Sequence, residues 1–199
     1  MLYLVRHGET DWNKQKLLQG HTNIPLNEQG KRQAKQLAEK FKDIEVDRIY
    51  ASDLERALET ARTVGEKKGI TDVQTFERLR ERCFGEMEGI QVVKLDELLP
   101  NCWTNWGEES VHGIEPLEEM QSRMAEQLKE IMEEAKEEDV LVVSHGAAIN
   151  SFIHFVTKGE SGTGILRLKN TAVTSFTYKE GEWEMVTCND DSHLEIPVS

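Results

Sequence analysis

Apolar residues gather in short runs near both ends of the chain and at helical spacing between them. The runs and alternations predict strands over 2–6, 47–51, 72–76 and 140–144, then 165–169, 172–178 and 183–188. Between the first four, the period lengthens. Ala34, Leu37, Ala38 and Phe41 recur at three and four residues, predicting a helix over 27–42 with Asn27 as its N-cap. Leu117, Met120, Met124, Leu128, Ile131 and Ala135 form one stripe along 116–137, an ordinary core-facing side. Glu118, Glu119, Glu126, Glu130, Glu133 and Glu134 belong to its solvated remainder. Strands alternating with helices imply βαβ units and a largely parallel sheet. The last third differs. Leu166-Arg167-Leu168 and Val173 to Tyr178 alternate, and Lys179-Glu180-Gly181-Glu182 reads as the turn of an antiparallel edge hairpin. The stretch 91–113, with Pro100, Trp103, Trp106, Gly107 and Gly113, has little periodicity. It reads as an inserted helix and loop overhanging a site.

Composition narrows the classes. A chain of 199 residues fits one domain, 1–199, with a sizeable core. The formal net charge of −13, from 37 acidic and 24 basic residues, argues against nucleic acid and against anionic membranes as partners. Cys83, Cys102 and Cys188 have no CxxC spacing, which fits reduced thiols. The apolar start is too short for a signal peptide, and no run approaches the roughly 18 residues of a membrane span. A soluble, cytoplasmic protein is expected.

Candidate chemistry sits where two apolar runs stop. Leu2-Tyr3-Leu4-Val5 ends in Arg6-His7-Gly8, and Val140-Leu141-Val142-Val143 ends in Ser144-His145-Gly146. Open α/β sheets bind ligands at the carboxyl edge of their strands. One such fragment is a chance tripeptide; two suggest a single site with two imidazoles and a phosphate ester as substrate. Against a net negative protein, that site must be locally cationic. Asn13, Gln19 and Gly20 follow the first fragment. Arg56 lies in the first turn of a helix after the strand Arg48-Ile49-Tyr50-Ala51, and Glu81 lies in Leu79-Arg80-Glu81-Arg82-Cys83-Phe84-Gly85. Arg56 could equally be a surface residue pairing with Glu55 or Glu59. Glu77, Glu86 and Glu88 compete with Glu81. His21, His112, His154 and His193 fit no partner pattern and read as surface or core residues, and Arg82 as a supporting residue or a salt bridge. No HxxxH or HxH spacing points to a metal.

The stretches RHGETDWN at 6–13, SDLERALETA at 52–61, ERCFGEMEG at 81–89 and SHG at 144–146 occur in an order that resembles the histidine phosphatase superfamily, also called phosphoglycerate mutase-like. The resemblance implies a three-layer α/β/α sandwich, a mostly parallel sheet with an antiparallel C-terminal edge, and a reaction needing neither metal nor other cofactor. It selects Glu81 among the nearby glutamates. A phosphate monoester is dianionic, so Arg6, Arg56 and His145 would supply positive donors around its oxygens. His7 would attack phosphorus and form a phosphohistidine, with Glu81 protonating the leaving oxygen and then activating water. Asn13 and Gln19 would donate side-chain hydrogen bonds, and Gly20 and Gly146 backbone amides.

Family members are mutases or phosphatases of small-molecule phosphate monoesters. The mutases carry extra Arg and Lys over the site, whereas 91–113 has Lys94 alone, with Asp96, Glu97, Glu108, Glu109 and the two tryptophans. That stretch suits an apolar or aromatic leaving group better than a second anion. Cys83-Phe84, where mutases usually have His-Tyr, points the same way. A phosphatase is expected ahead of a cofactor-dependent phosphoglycerate mutase. A non-catalytic phospholigand binder ranks last, because Arg6, His7, Arg56, Glu81 and His145 are all present. The sequence names neither the substrate nor the oligomeric state.

Overall fold

A computed structural model describes residues 1–106 and 112–195; Gly107, Glu108 and Glu109 of the expected insert lie outside them. In chain order the elements are β1 (Leu2–Arg6), α1 (Asp11–Gln15), α2 (Glu28–Phe41), β2 (Arg48–Ala51), α3 (Glu55–Lys68) and β3 (Val73–Thr75). There follow α4 (Val92–Leu98), α5 (Leu117–Ala135), β4 (Val140–Ser144), α6 (Gly146–Val156), β5 (Val173–Lys179) and β6 (Glu182–Asp190). The strands form one six-stranded sheet in the order β3-β2-β4-β1-β5-β6. The first four strands in that order are parallel, while β5 and β6 are antiparallel additions at one edge.

Alternation along the central strands makes the sheet two-faced. Leu2, Leu4, Val140 and Val142 pack against Met120, Met124 and Leu128 of α5 and Ile149 and Phe152 of α6. Val5, Ile49, Ala51, Leu141 and Val143 pack with Leu37 and Phe41 of α2 and Ala57, Ala61 and Val64 of α3. Helices on both faces make the expected three layers. The Asn27 cap forms as expected, its Oδ1 accepting from Gly30 N at 2.8 Å.

The predicted strand over 165–169 does not form; the segment is turn and irregular chain. Leu168 is buried and Ile165 is exposed, so inside–outside alternation imitates a strand. Its carbonyls are met by side chains instead of a ladder. Leu166 O accepts from Asn150 Nδ2 at 2.9 Å, Arg167 O from Asn189 Nδ2 at 3.2 Å, and Leu168 O from Arg6 Nη1 at 2.6 Å. The other edge of β1 is already taken by β5, so 165–169 is free to form a loop at the site.

A third small core, Leu18, Phe84, Leu95 and Ile114 with Trp103 packed on it, lies beneath α4. Arg82 secures it. Its guanidinium donates to Glu115 O and Cys102 O at 2.7 Å each and lies 5.8 and 6.0 Å from the Phe84 and Trp103 rings. The sequence left Arg82 between two roles; it is a buried joint between the Glu81 segment and the segment carrying α4.

Candidate active site

β1 and β4 are neighbours in register, Arg6 opposite Ser144, and His7 N donates to Ser144 O at 3.0 Å. Both His-Gly fragments therefore leave the sheet side by side. The His7 and His145 rings lie 5.1 Å apart. Of the nine residues nominated above, Arg6, His7, Asn13, Gln19, Gly20, Arg56, Glu81 and Gly146 line one cleft of about 770 Å³; His145 is fully buried beside His7.

The loop after β1 is tightly held. Gly8 packs against α2 so closely that a Cβ there would come within 2.6 Å of Gly30 O. Gly8 N donates to Thr60 Oγ1 at 3.1 Å, and His7 O accepts from Asn170 Nδ2 at 3.0 Å. The His7 imidazole is then oriented by Gly8 O, 2.7 Å from Nδ1. A carbonyl only accepts, so Nδ1 carries the proton and Nε2 keeps its lone pair. Burial, aided by the charges of Arg56 and Arg6, holds the His7 pKa well below its ordinary value, so the ring is neutral near pH 7.

His145 has the complementary arrangement. Arg56 Nε donates to its Nδ1 at 3.2 Å, so Nε2 carries the hydrogen, and that buried atom has no partner among the described residues. Burial first, then Arg56 and His7, depresses its pKa strongly. His145 is thus a neutral N–H donor, which corrects the expectation of a positive one. The positive charge comes from Arg6 and Arg56. Arg56 is fully buried, and burial lowers its pKa to about 10, still charged at neutral pH. It also donates to Thr22 O at 2.9 Å and Gly20 O at 2.8 Å, fastening the 19–22 loop.

Glu88 fixes the same loop from the other side. Its Oε1 accepts from His21 N at 2.9 Å and Phe84 N at 3.2 Å, and its Oε2 accepts from Thr22 N at 2.9 Å. Gly20 has φ +51°, and a Cβ there would collide with the Glu88 carboxylate at 2.0 Å. Thr10 Oγ1 donates to Gln19 Oε1 at 2.8 Å, and Asn13 Oδ1 accepts from Asn170 Nδ2 at 3.3 Å. The amide groups of Gln19 and Asn13 are left to donate into the cleft.

Glu81 lies at the start of α6. Its Oε1 accepts from Ala147 N, Ala148 N and Arg82 N, each at 3.0 Å. From behind, Arg123 of α5 donates to Arg80 O at 2.8 Å and Glu81 O at 2.9 Å and pairs with Glu115. His21, set aside in the sequence, has Nε2 at 2.9 Å from Glu81 O. Glu88, Arg123, Asn170 and Thr60 act by bonds to loops distant in sequence, and no local spacing announces them. The tryptophans divide. Trp103 lines the cleft with its Nε1 donating to Asp96 Oδ1 at 2.8 Å, whereas Trp106 stacks on His154 at 4.5 Å away from it. Arg167, exposed on the 165–169 loop, lines the cleft and makes no ion pair or side-chain hydrogen bond among the described residues.

His193 supports this edge. Thr171 Oγ1 donates to Asn170 O at 2.7 Å, so His193 Nε2 donates to Thr171 Oγ1 at 3.0 Å. Burial lowers the His193 pKa to about 4. The unfolded chain, with histidines near about 6.5, then binds protons that the folded one refuses. Stability is complete above about pH 6.5 and is lost as pH falls toward the folded value. A His193→Gln variant is expected to show a flatter dependence of Tm on pH between 6.5 and 4 than the wild type; parallel curves would refute this.

Known proteins share the family pattern and the fold. The sequence model of the histidine phosphatase superfamily (branch 1) matches residues 2–191. The chain is 35% identical to the uncharacterized phosphatase PhoE of Bacillus subtilis (strain 168), over 96% of this chain and 95% of that one. It is 33% identical to phosphoglycerate mutase-like protein 4 of Arabidopsis thaliana, over 98% of this chain and 86% of the relative. Among solved structures, a phosphoserine phosphatase mutant from Entamoeba histolytica in complex with phosphoserine superposes with a TM-score of 0.81 at 26% identity, covering 97% of this chain and 98% of that one. No helix among the described residues is long and apolar enough to cross a membrane. Agreement that extends over nearly the whole chain decides the family: this protein belongs to branch 1 of the histidine phosphatase superfamily.

Proposed function

We propose that the chain is one domain whose insert, through its described residues 91–106, roofs a phosphatase site, and that it hydrolyses a small-molecule phosphate monoester through a phosphohistidine on His7. The observation that carries this reading is the 2.7 Å contact between His7 Nδ1 and Gly8 O, which leaves a neutral imidazole with its Nε2 lone pair in a cationic cleft. In the first step Nε2 attacks phosphorus, the P–O bond to the leaving group breaks, and Glu81 gives the leaving oxygen a proton. Glu81 enters this step carrying the proton and leaves it as the carboxylate that the second step needs. Arg6, Arg56 and the His145 Nε2–H stabilise the transferring group, with Asn13 and Gln19 adding neutral donors. In the second step Glu81 removes a proton from water, which attacks the phosphohistidine and frees the ring.

Relatives carry both phosphatase and mutase-like names. Phosphatase is favoured because the described part of 91–113 sends Val92, Asp96 and Trp103 to the cleft wall and no Lys or Arg. The positive charge for the transfer comes from arginines, and no three His, Cys, Asp or Glu side chains among the described residues group as metal ligands; hence the reaction is proposed to be metal-independent. Rapid quenching with labelled p-nitrophenyl phosphate in EDTA is expected to trap an acid-labile, alkali-stable phosphoenzyme. Turnover abolished by EDTA and restored by a divalent ion would overturn metal independence. Conversion of 3-phosphoglycerate to 2-phosphoglycerate faster than phosphate release would make the protein a mutase.

A further inference from the structure

The cleft extends past the phosphoryl end, and its far part has a character that the sequence did not show. Asn150 and Thr163 line it, and each holds a buried side-chain atom without a partner among the described residues, Asn150 Oδ1 and Thr163 Oγ1. Thr163 is only 7% exposed. The orientation of the Asn150 amide is set by chemistry. Its Nδ2 donates to Leu166 O at 2.9 Å, and a reversed amide would put two oxygens together. The free atom is therefore an acceptor. Asn150 lies one turn beyond Gly146 on α6, about 6 Å along the axis, and both line the same cleft. The 162–164 turn is pressed against this wall. A Cβ on Gly162 would lie 2.3 Å from Asn150 O, and one on Gly164 would lie 2.7 Å from Thr104 Cγ2. Trp103 and Asp96 also line this cleft, with one Asp96 oxygen engaged by the indole N–H.

We propose that Asn150 and Thr163 form a leaving-group subsite that selects esters of polyhydroxylated alcohols, that is, sugar or polyol monophosphates. This rests on the reading of the cleft as a phosphatase site. Buried polar atoms without partners are costly, so a ligand that pairs them is favoured over one that leaves them unpaired. Hydroxyls both donate and accept. They satisfy Asn150 Oδ1, Thr163 Oγ1 and the carboxylate of Asp96, while the ring face of a sugar can lie on Trp103. A phenyl group leaves the polar atoms unpaired. An ammonium group meets the charge of Arg167, which makes no ion pair among the described residues. The subsite thus revises the expectation of an apolar leaving group.

The test compares glucose 6-phosphate with phenyl phosphate. Thr163→Val, which keeps the shape and removes the hydroxyl, is expected to lower the ratio of their kcat/KM values about tenfold. Thr163→Ser is expected to restore the ratio. Calorimetric affinities of the two esters for His7→Ala, with and without Thr163→Val, give the same comparison without turnover. An unchanged ratio in Thr163→Val, or a serine variant as impaired as the valine one, overturns the subsite. A wild-type protein that turns over neither ester overturns the phosphatase reading, and the binding ratio then decides the subsite by itself.

Discussion

His7→Ala is expected to lower turnover of every phosphate monoester by about 10⁴-fold or more and to abolish the phosphoenzyme. The reason is geometric. His7 Nε2 is the lone pair of an imidazole whose other nitrogen is committed to Gly8 O, and the second ring cannot replace it. His145 Nδ1 accepts from Arg56 and its Nε2 carries hydrogen, so His145 has no lone pair to offer the cleft. The variant should remain folded, since its loop is held by backbone and side-chain bonds at Gly8 N and His7 O that the substitution leaves in place. Near wild-type turnover by a folded His7→Ala protein would reject the mechanism.

Arg56→Ala and Glu81→Gln are expected to differ in their dependence on the leaving group. Arg56 faces charge on the phosphoryl group, which develops whichever alcohol departs. Its loss should slow alkyl and nitrophenyl esters by similar factors, about 10²–10³. It should also lower Tm, because Thr22 O and Gly20 O lose their donor. Glu81 matters through the proton on the leaving oxygen. Glu81→Gln should slow single-turnover transfer from alkyl esters by about 10²–10⁴ and transfer from p-nitrophenyl phosphate far less, since nitrophenolate departs without a proton. Rapid-quench measurement of phosphoenzyme formation separates this step from hydrolysis, where Glu81 as base affects both esters alike. Unaltered alkyl transfer in Glu81→Gln would move the acid elsewhere. Glu88 is then a poor successor, because both of its oxygens are engaged in holding the 19–22 loop.

What was legible in the chain was written locally. The two apolar runs ending in His-Gly, the N-cap at Asn27 and the stripe from Leu117 to Ala135 depend on neighbours within a turn or a strand, and they folded as read. The 165–169 segment did not, because its alternation reports burial, and burial does not say whether a backbone is met by a neighbouring strand or by the side chains of Arg6, Asn150 and Asn189. The charge of His145 was misread for a related reason. An imidazole's protonation depends on its surroundings, and those are Arg56, 89 residues away, and the interior of the sheet. The chain by itself determined the alternation of strands and helices, a largely parallel sheet, and the two histidines at its strand ends, since periodicity and strand-end position are properties of short stretches; the three layers and the choice of Glu81 came from the family resemblance. Tertiary structure alone decided which nitrogen of each histidine is free, that Glu88 and Arg123 brace the site, and that Arg167, Asn150 and Thr163 line the far cleft, because hydrogen-bond partners distant in sequence are chosen only when the loops close on one another.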